Sequence, residues 1–318
     1  MNLCDNLLKI TYYQTINRAT GYGINRALGF GLLLGDRLDA IREGKKLVIV
    51  AGNGQLPFLV ARGARAAGVE VCVLGLRDQA SDELAEEADS FYRVPIARLG
   101  RWIKLSKRFG AEELILAGGV KKTQAFSRWR IWRYIPDWRA MRVWYRRAKG
   151  DRRNLAILGA LADELAEEGI TVVNSIKYCE QALADEGVMT RRTPSEQILE
   201  NIDFGWPMAM KIAELDIGQS LAVREKDVIA VEAIEGTDAM IERAGKLVRG
   251  DWILIKVAQP HQDMRFDVPT VGPETIEMLH RNRAAALVVQ AGRTIMIEKD
   301  KMIALAEKYG MAIIGKKA

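Results

Sequence analysis

Apolar and polar positions along this chain alternate between short β-branched runs and stretches of helical period. Lys46-Leu-Val-Ile-Val-Ala51 is the first such run; Gly52-Asn-Gly-Gln-Leu-Pro57 follows it, then an amphipathic stretch to Ala67. Glu70–Leu74 and Glu113–Ala117 are two more, the former followed by a polar helix-like segment through Ala88, the latter by Gly118-Gly-Val-Lys-Lys122. From Asp151 to Glu168 apolar residues recur near the 3.6 period, and Gly169 ends the helix they predict. Beyond it, strands are expected at Ile170–Val173, Ser220–Val223, Val228–Ile234, Trp252–Val257, Ala286–Val289, Thr294–Ile297 and Met311–Ile314. Helices should follow Asp238, Pro273 and Lys299. Strands alternating with helices predict βαβ units and a parallel sheet, hence an α/β fold.

The length, 318 residues, favours two domains, and an apolar fraction of 49% allows a sizeable core. Residues 1–45 read as an N-terminal extension with amphipathic stretches at Leu7–Asn17 and Gly31–Glu43. Three scattered cysteines without a CxxC pair, and two histidines, argue against a disulfide framework or a zinc centre and suit a reducing cytoplasm. The most apolar N-terminal stretch, Ala27–Gly35, is too short to span a bilayer and lies too far in for a signal peptide. The net charge of +6 matters less than its placement. Between Lys121 and Arg153 stand twelve Lys or Arg against Asp137 and Asp151, with four of the seven tryptophans. Such a segment suits an RNA surface, an anionic membrane interface, or a linker that packs its indoles and solvates its charges.

Candidate chemistry gathers in two acidic segments. One is Val231-Glu-Ala-Ile-Glu-Gly-Thr-Asp238, the other Lys256-Val-Ala-Gln-Pro-His-Gln-Asp-Met-Arg-Phe-Asp267. Each leaves an apolar strand and enters a turn carrying carboxylates: Glu235 and Asp238 in the first, Asp263 and Asp267 in the second. Carboxylates at the ends of buried strands are costly unless a cation, a basic side chain or a polar ligand pairs with them. In a parallel sheet both segments would lie at the strands' C-terminal ends, where ligands bind. If the second were extended, Asp263, Arg265 and Asp267 would share one face; the alternative is a solvated loop with internal Asp–Arg pairs. Thr237 or Asp238 also reads as a plain helix N-cap. Gly52-Asn-Gly-Gln-Leu-Pro57 opens a helix after a strand, as a phosphate-binding turn does, yet lacks the third glycine of a dinucleotide fingerprint. An ordinary tight βα turn reads equally well.

The series Asp216-Ile-Gly-Gln219, Val231–Ile241 with Arg243, Lys256, Gln262-Asp263, Arg265-Phe-Asp-Val-Pro269 and Gly272 with Thr275-Ile276 resembles the LpxI family. Gly52–Pro57 and Ala117-Gly-Gly-Val-Lys121 match as well. The resemblance runs from about residue 46 to the end. It implies an N-terminal Rossmann-like parallel-sheet nucleotide-binding domain over 46–172, including the basic segment 121–153, and a C-terminal α/β catalytic domain over 173–318. It further implies hydrolysis of the pyrophosphate of UDP-2,3-diacylglucosamine to UMP and 2,3-diacylglucosamine 1-phosphate in lipid A biosynthesis, with Mg²⁺ or Mn²⁺.

With the residue chemistry, it points to Asp263, Glu235 and Asp238 as catalytic and to Asp263, Asp238 and Asp267 as metal ligands. Gly52, Asn53, Gly54, Gln55, Lys121, Gln219, Thr237, Lys256, Gln262 and Arg265 would bind substrate. The expected partner is a lipid-linked nucleotide sugar met at the cytoplasmic face of the inner membrane. Nucleic acid is not expected, and a homodimer is compatible. A Rossmann-type oxidoreductase and an RNA-binding protein are the competing readings.

Overall fold

The computed structural model describes residues 44–120, 136–147, 154–259, 263–266 and 268–317. The helices expected at Leu7–Asn17 and Gly31–Glu43, and most of the basic segment, lie outside the described residues. The first sheet holds β1 (Lys46–Ala51), β2 (Glu70–Leu76), β3 (Ser90–Val94), β4 (Glu113–Ala117) and β5 (Thr171–Val172). Its order is β3-β2-β1-β4-β5 and every pairing is parallel. Alternate residues face opposite layers. Leu47, Ile49, Val71 and Val73 pack with α1 (Leu56–Ala66). Val48, Val50, Cys72 and Leu74 pack with Trp102 and Ile103 of α2 (Leu99–Phe109). Cover on both faces is why these strands read as unbroken apolar runs. The chain order reverses between β1 and β4, the place where sheets of this kind leave a crevice for a ligand.

Two local expectations change. The polar segment after β2 is no α-helix but a 3₁₀ stretch, Asp82–Glu87, whose first turn is capped by Ser81 accepting from the Glu83 amide. The β3 strand was not foreseen, because an edge strand is only half covered and Ser90-Phe-Tyr-Arg-Val94 lacks an apolar run.

On the far side of β4 come α3 (Trp138–Arg147) and α4 (Asn154–Glu167). Asp137 orders this region. One carboxylate oxygen accepts from the Gly100 amide at 2.7 Å and the other from the Ala140 amide at 2.9 Å, so a single side chain caps the first turns of both α2 and α3.

The second sheet runs β6 (Gly187–Val188), β13 (Ala312–Lys316), β11 (Ala284–Gln290), β9 (Trp252–Lys256), β7 (Ser220–Arg224), β8 (Asp227–Val231). The expected parallel sheet is here a mixed one: β7 is antiparallel to both β9 and β8. Two reversals cancel, so β8 and β9 still point the same way and their C-terminal ends share one edge. One face is covered by α5 (Glu196–Glu214), the other by α6 (Thr237–Leu247), α7 (Pro273–Arg281) and α8 (Lys299–Lys308). The α5 helix was missed because Gly205-Trp-Pro207 reads as a break. A Cβ on Gly205 would stand 2.7 Å from both Ile255 Cδ1 and Val223 Cγ2, so the glycine sets how closely α5 approaches the sheet.

Residues 46–318 gather into one unit. Val268, Ile295 and Ile297 from the second half belong to the same buried cluster as Leu47, Ile49 and Val60. A two-stranded parallel pair, β10 (Thr270–Val271) with β12 (Ile295–Met296), holds those residues in place.

Candidate functional site

The turn after β1 and the turn after β4 clasp each other through their backbones. The Gly52 amide donates to the Ala117 carbonyl at 2.8 Å, Asn53 to Gly119 at 2.8 Å, and Gly119 back to Asn53 at 3.0 Å. A Cβ at Gly52 would lie 2.3 Å from the Gly119 carbonyl oxygen, and one at Gly118, where φ is +85°, 2.4 Å from that of Asn53. These glycines are therefore explained by the clasp. Gly54 is different: its φ is +92° and nothing lies within 4 Å of where its Cβ would point. Gln55 forms the N-cap of α1. The Asn53 side-chain amide donates to Gln79 at 3.4 Å.

A cleft of about 340 Å³ opens against this clasp. Asn53, Gly54, Gln55, Gly118 and Gly119 form its polar side, while Phe266, Val268, Thr270 and Ile297 reach in from the second half. The chain bridges the halves directly. It leaves β9 at Lys256, and by Met264 it is pinned to the first half, where the buried Ser175 hydroxyl donates to the Met264 carbonyl at 3.3 Å. Lys121 and Gln262 lie outside the described residues.

Asp263 sits at the start of this bridge. The segment is a turn at Met264–Phe266 rather than an extended strand, so the shared face expected for Asp263, Arg265 and Asp267 does not form. Instead Arg265 folds back on Asp263, its Nη2 at 2.7 Å and its Nε at 3.0 Å from the carboxylate, and its amide donates to the same group at 3.0 Å. The guanidinium lies 4.9 Å from the centre of the Phe266 ring. The Arg265 hydrogen bonds hold the Asp263 carboxyl below its usual range, against the opposing effect of burial. Asp263 is thus a carboxylate at neutral pH, and Arg265 a firmly protonated cation beside the cleft-lining Phe266.

A second polar cluster occupies the shared edge of β8 and β9. The Thr237 hydroxyl donates to Glu232 at 2.9 Å, accepts from Lys256 Nζ at 3.2 Å and lies 3.4 Å from the Ser220 hydroxyl. The Ser220 carbonyl accepts from the Glu232 amide, and Ser220 pairs with Lys256 in the sheet, so β7 wedges these groups together. Helix α6 is capped by the backbone of Gly236, φ +86°, which frees the Thr237 side chain for this cluster and corrects the expectation of a Thr237 or Asp238 cap. The Glu232 Oε2 atom is buried without a hydrogen-bond partner. Gln219 stands beside the cluster, its carbonyl accepting from the Val257 amide at 2.9 Å.

Glu235 is turned away. It is exposed and bound by Arg243 at 2.6 Å; a backbone hydrogen bond first, then Arg243, lowers its pKa. Asp238 is exposed in the first turn of α6. Of the two acids near the end of β8, the structure therefore recruits Glu232 rather than Glu235. The sequence signal was available: Glu232 ends an apolar strand and stands five residues before a threonine that starts a helix. Among the described residues no three His, Cys, Asp or Glu side chains group as metal ligands. Asp267 is outside the described residues. A hard cation here would draw part of its ligand set from an anionic ligand, as Mg²⁺ does with phosphates. Burial pushes the Cys72 thiol up to about 12 and Cys179 to about 11, so neither supplies a thiolate.

Comparison with known proteins matches this architecture to one family. The LpxI N-terminal domain matches residues 46–182 and the LpxI C-terminal domain residues 185–314. The UDP-2,3-diacylglucosamine pyrophosphatase LpxI of Caulobacter vibrioides is 31% identical over 283 residues, covering 85% of this chain and 97% of that protein. Among solved structures, the biotin carboxylase domain of a thermophilic 2-oxoglutarate carboxylase is 14% identical with a TM-score of 0.26, over 64% of this chain and 32% of that one. That likeness is too slight to bear on fold or function.

Proposed function

This chain belongs to the LpxI family, and from that premise we propose that it hydrolyses the pyrophosphate bond of UDP-2,3-diacylglucosamine. The products are UMP and 2,3-diacylglucosamine 1-phosphate, a step of lipid A biosynthesis. The observation that carries the reading is the cleft between the β1 and β4 turns, closed by Phe266, Val268 and Thr270 from the other half. A nucleotide's phosphates meet the backbone amides of Gly54, Gln55 and Gly118, the Asn53 and Gly119 amides being held in the clasp. Acyl chains require an apolar wall, which Phe266, Val268 and Ile297 offer.

In the reaction, water adds to one phosphorus, the bridging oxygen leaves with that bond's electrons, and two phosphate monoesters result. Asp263, kept ionised by Arg265, accepts the proton of the attacking water. Arg265 and Lys256 neutralise phosphate oxygens. Thr237 and Glu232 orient Lys256, while Glu235, held outward by Arg243, stands apart from them. Asp263, Asp238 and Asp267 would hold Mg²⁺ or Mn²⁺, which supplies further charge neutralisation when bound. The substrate is drawn from the cytoplasmic face of the inner membrane, with which the protein makes peripheral contact.

The test is incubation of detergent-dispersed UDP-2,3-diacylglucosamine with Mg²⁺, with products identified by mass. UMP plus the lipid monophosphate is expected, with loss in EDTA and recovery on adding Mg²⁺. An intact substrate, or cleavage elsewhere than the pyrophosphate, overturns the assignment. Full turnover in EDTA removes the cation from it.

A further inference from the structure

Helix α3 is amphipathic in an unusual sense. Two of its arginines turn inward: Arg139 reaches Glu168 at 2.5 Å and Glu164 at 3.4 Å, and Arg142 pairs with Glu164 and Glu167. Glu164 is only 4% exposed, so these guanidiniums are spent on a buried carboxylate rather than offered to an outside partner. Ala140 and Val143 pack on the cluster beneath. The opposite face carries Trp138, Met141, Trp144 and Tyr145, at spacings i, i+3, i+6 and i+7, which align on one side of a helix. They are 77%, 48%, 61% and 68% exposed. A solvated helix has no use for two indoles outside, because burial of such rings is what stabilises them.

Charge beside the stripe indicates what covers it. Neighbouring α2, joined to α3 through the Asp137 cap, contains no acidic residue and exposes Arg101, Lys104 and Arg108, while its Lys107 pairs with Glu168. Aromatic rings flanked by a wholly basic helix match the headgroup layer of an anionic bilayer, where indoles settle at the polar–apolar boundary and Lys and Arg meet phosphates. No helix among the described residues is long and apolar enough to cross a membrane. The same apolar cluster that supports Val143 also takes Phe266, a wall of the cleft, so stripe and cleft flank one side of the first sheet.

We infer that the outer face of α3, with the exposed basic side of α2, is the surface by which this protein docks on anionic lipid. The inference deepens the lipid-substrate reading and rests on it for its purpose. It relocates the docking determinants: rings on α3 insert, and the basic residues of α2, not Arg139 or Arg142, meet the headgroups.

The experiment is flotation of the full chain with phosphatidylcholine vesicles, with and without about a third phosphatidylglycerol. Wild type should float with the anionic vesicles. Trp138→Ser/Trp144→Ser should bind at least about tenfold more weakly, and Arg101→Glu/Lys104→Glu/Arg108→Glu should lose the preference for anionic lipid. All these side chains are exposed, and a native melt confirms folding. Hydrolysis of detergent-dispersed UDP-2,3-diacylglucosamine should be unchanged in both variants. Wild-type flotation by the double tryptophan variant overturns the inference, as does failure of wild type to float. So does a shift of the tryptophan variant from dimer to monomer with vesicle binding intact, which would make the stripe a self-interface. If no preparation hydrolyses the substrate, the functional reading fails, while flotation still decides the docking surface.

Discussion

The clasp between the β1 and β4 turns predicts opposite outcomes for two glycines that stand two residues apart. Alanine at Gly52 places a Cβ 2.3 Å from the Gly119 carbonyl oxygen and 3.1 Å from the backbone of Gly118. An ordinary carbon–oxygen contact needs roughly 3.3 Å, so the turns must separate by about 1 Å. Hydrogen bonds of 2.8, 2.8 and 3.0 Å would then stretch past their useful length. Three lost bonds at about 0.5–1.5 kcal/mol each give roughly 2–4 kcal/mol, in line with the usual cost of overpacking. For a protein of this size the melting temperature should fall by about 3–6 °C. Gly54→Ala meets no atom within 4 Å and strains only a positive φ, at about 1–2 kcal/mol.

Its methyl group, however, points into the space where the substrate's phosphates are proposed to lie. Gly54→Ala should therefore melt within about 3 °C of wild type yet raise KM for UDP-2,3-diacylglucosamine at least about tenfold. Calorimetric melts and initial rates on the same preparations decide the matter. A Gly52→Ala protein that melts within 2 °C or so of wild type refutes the clasp. Unchanged KM in Gly54→Ala refutes the placement of the phosphates.

Asp263→Ala should lower kcat by a factor on the order of a thousand or more while substrate still co-purifies; turnover within a few-fold of wild type would move the catalytic role elsewhere. Arg265 depresses the Asp263 pKa, so the pair's contribution to stability is complete above the ordinary carboxylate value and fades as pH falls through the depressed one. The acid limb of kcat should accordingly lie below the ordinary carboxylate range, and Arg265→Gln should shift it upward; a limb that does not move uncouples the two residues. Thr237→Val removes the hydroxyl shared by Glu232 and Lys256 and should cost about 1–3 kcal/mol in a denaturant melt, with Thr237→Ser close to wild type; equal melts of the two variants would show that the hydroxyl is not needed.

The sequence exposed the strands that are covered on both faces, because β1, β2, β4, β9, β11 and β13 are near-continuous apolar runs that need no context to recognise. It hid β3, where coverage is partial, and α5, where Gly205 and Pro207 answer to packing against Ile255 and Val223 rather than to helix propensity. At the site, the glycine turns and Lys256 were legible as residue types in place. What one dimension could not show was partnership. Arg265 turns back to Asp263, Arg243 draws Glu235 outward, and antiparallel β7 inserts Ser220 between Glu232 and Lys256. The tryptophan segment gave composition without direction. Only the helix geometry tells that Arg139 and Arg142 face Glu164 while Trp138 and Trp144 face out.

The shared core has a consequence for biosynthesis. Val268, Ile295 and Ile297 complete the apolar layer over Leu47, Ile49 and Val60, yet they are translated long after residue 182, where the first matched domain ends. At about 5–20 residues per second, those roughly 115 residues leave the layer open for about 6–23 s on the ribosome. The nascent N-terminal half is thus a client for chaperones until the C-terminal half arrives. A chain truncated after residue 182 should emerge sticky, however complete its sheet.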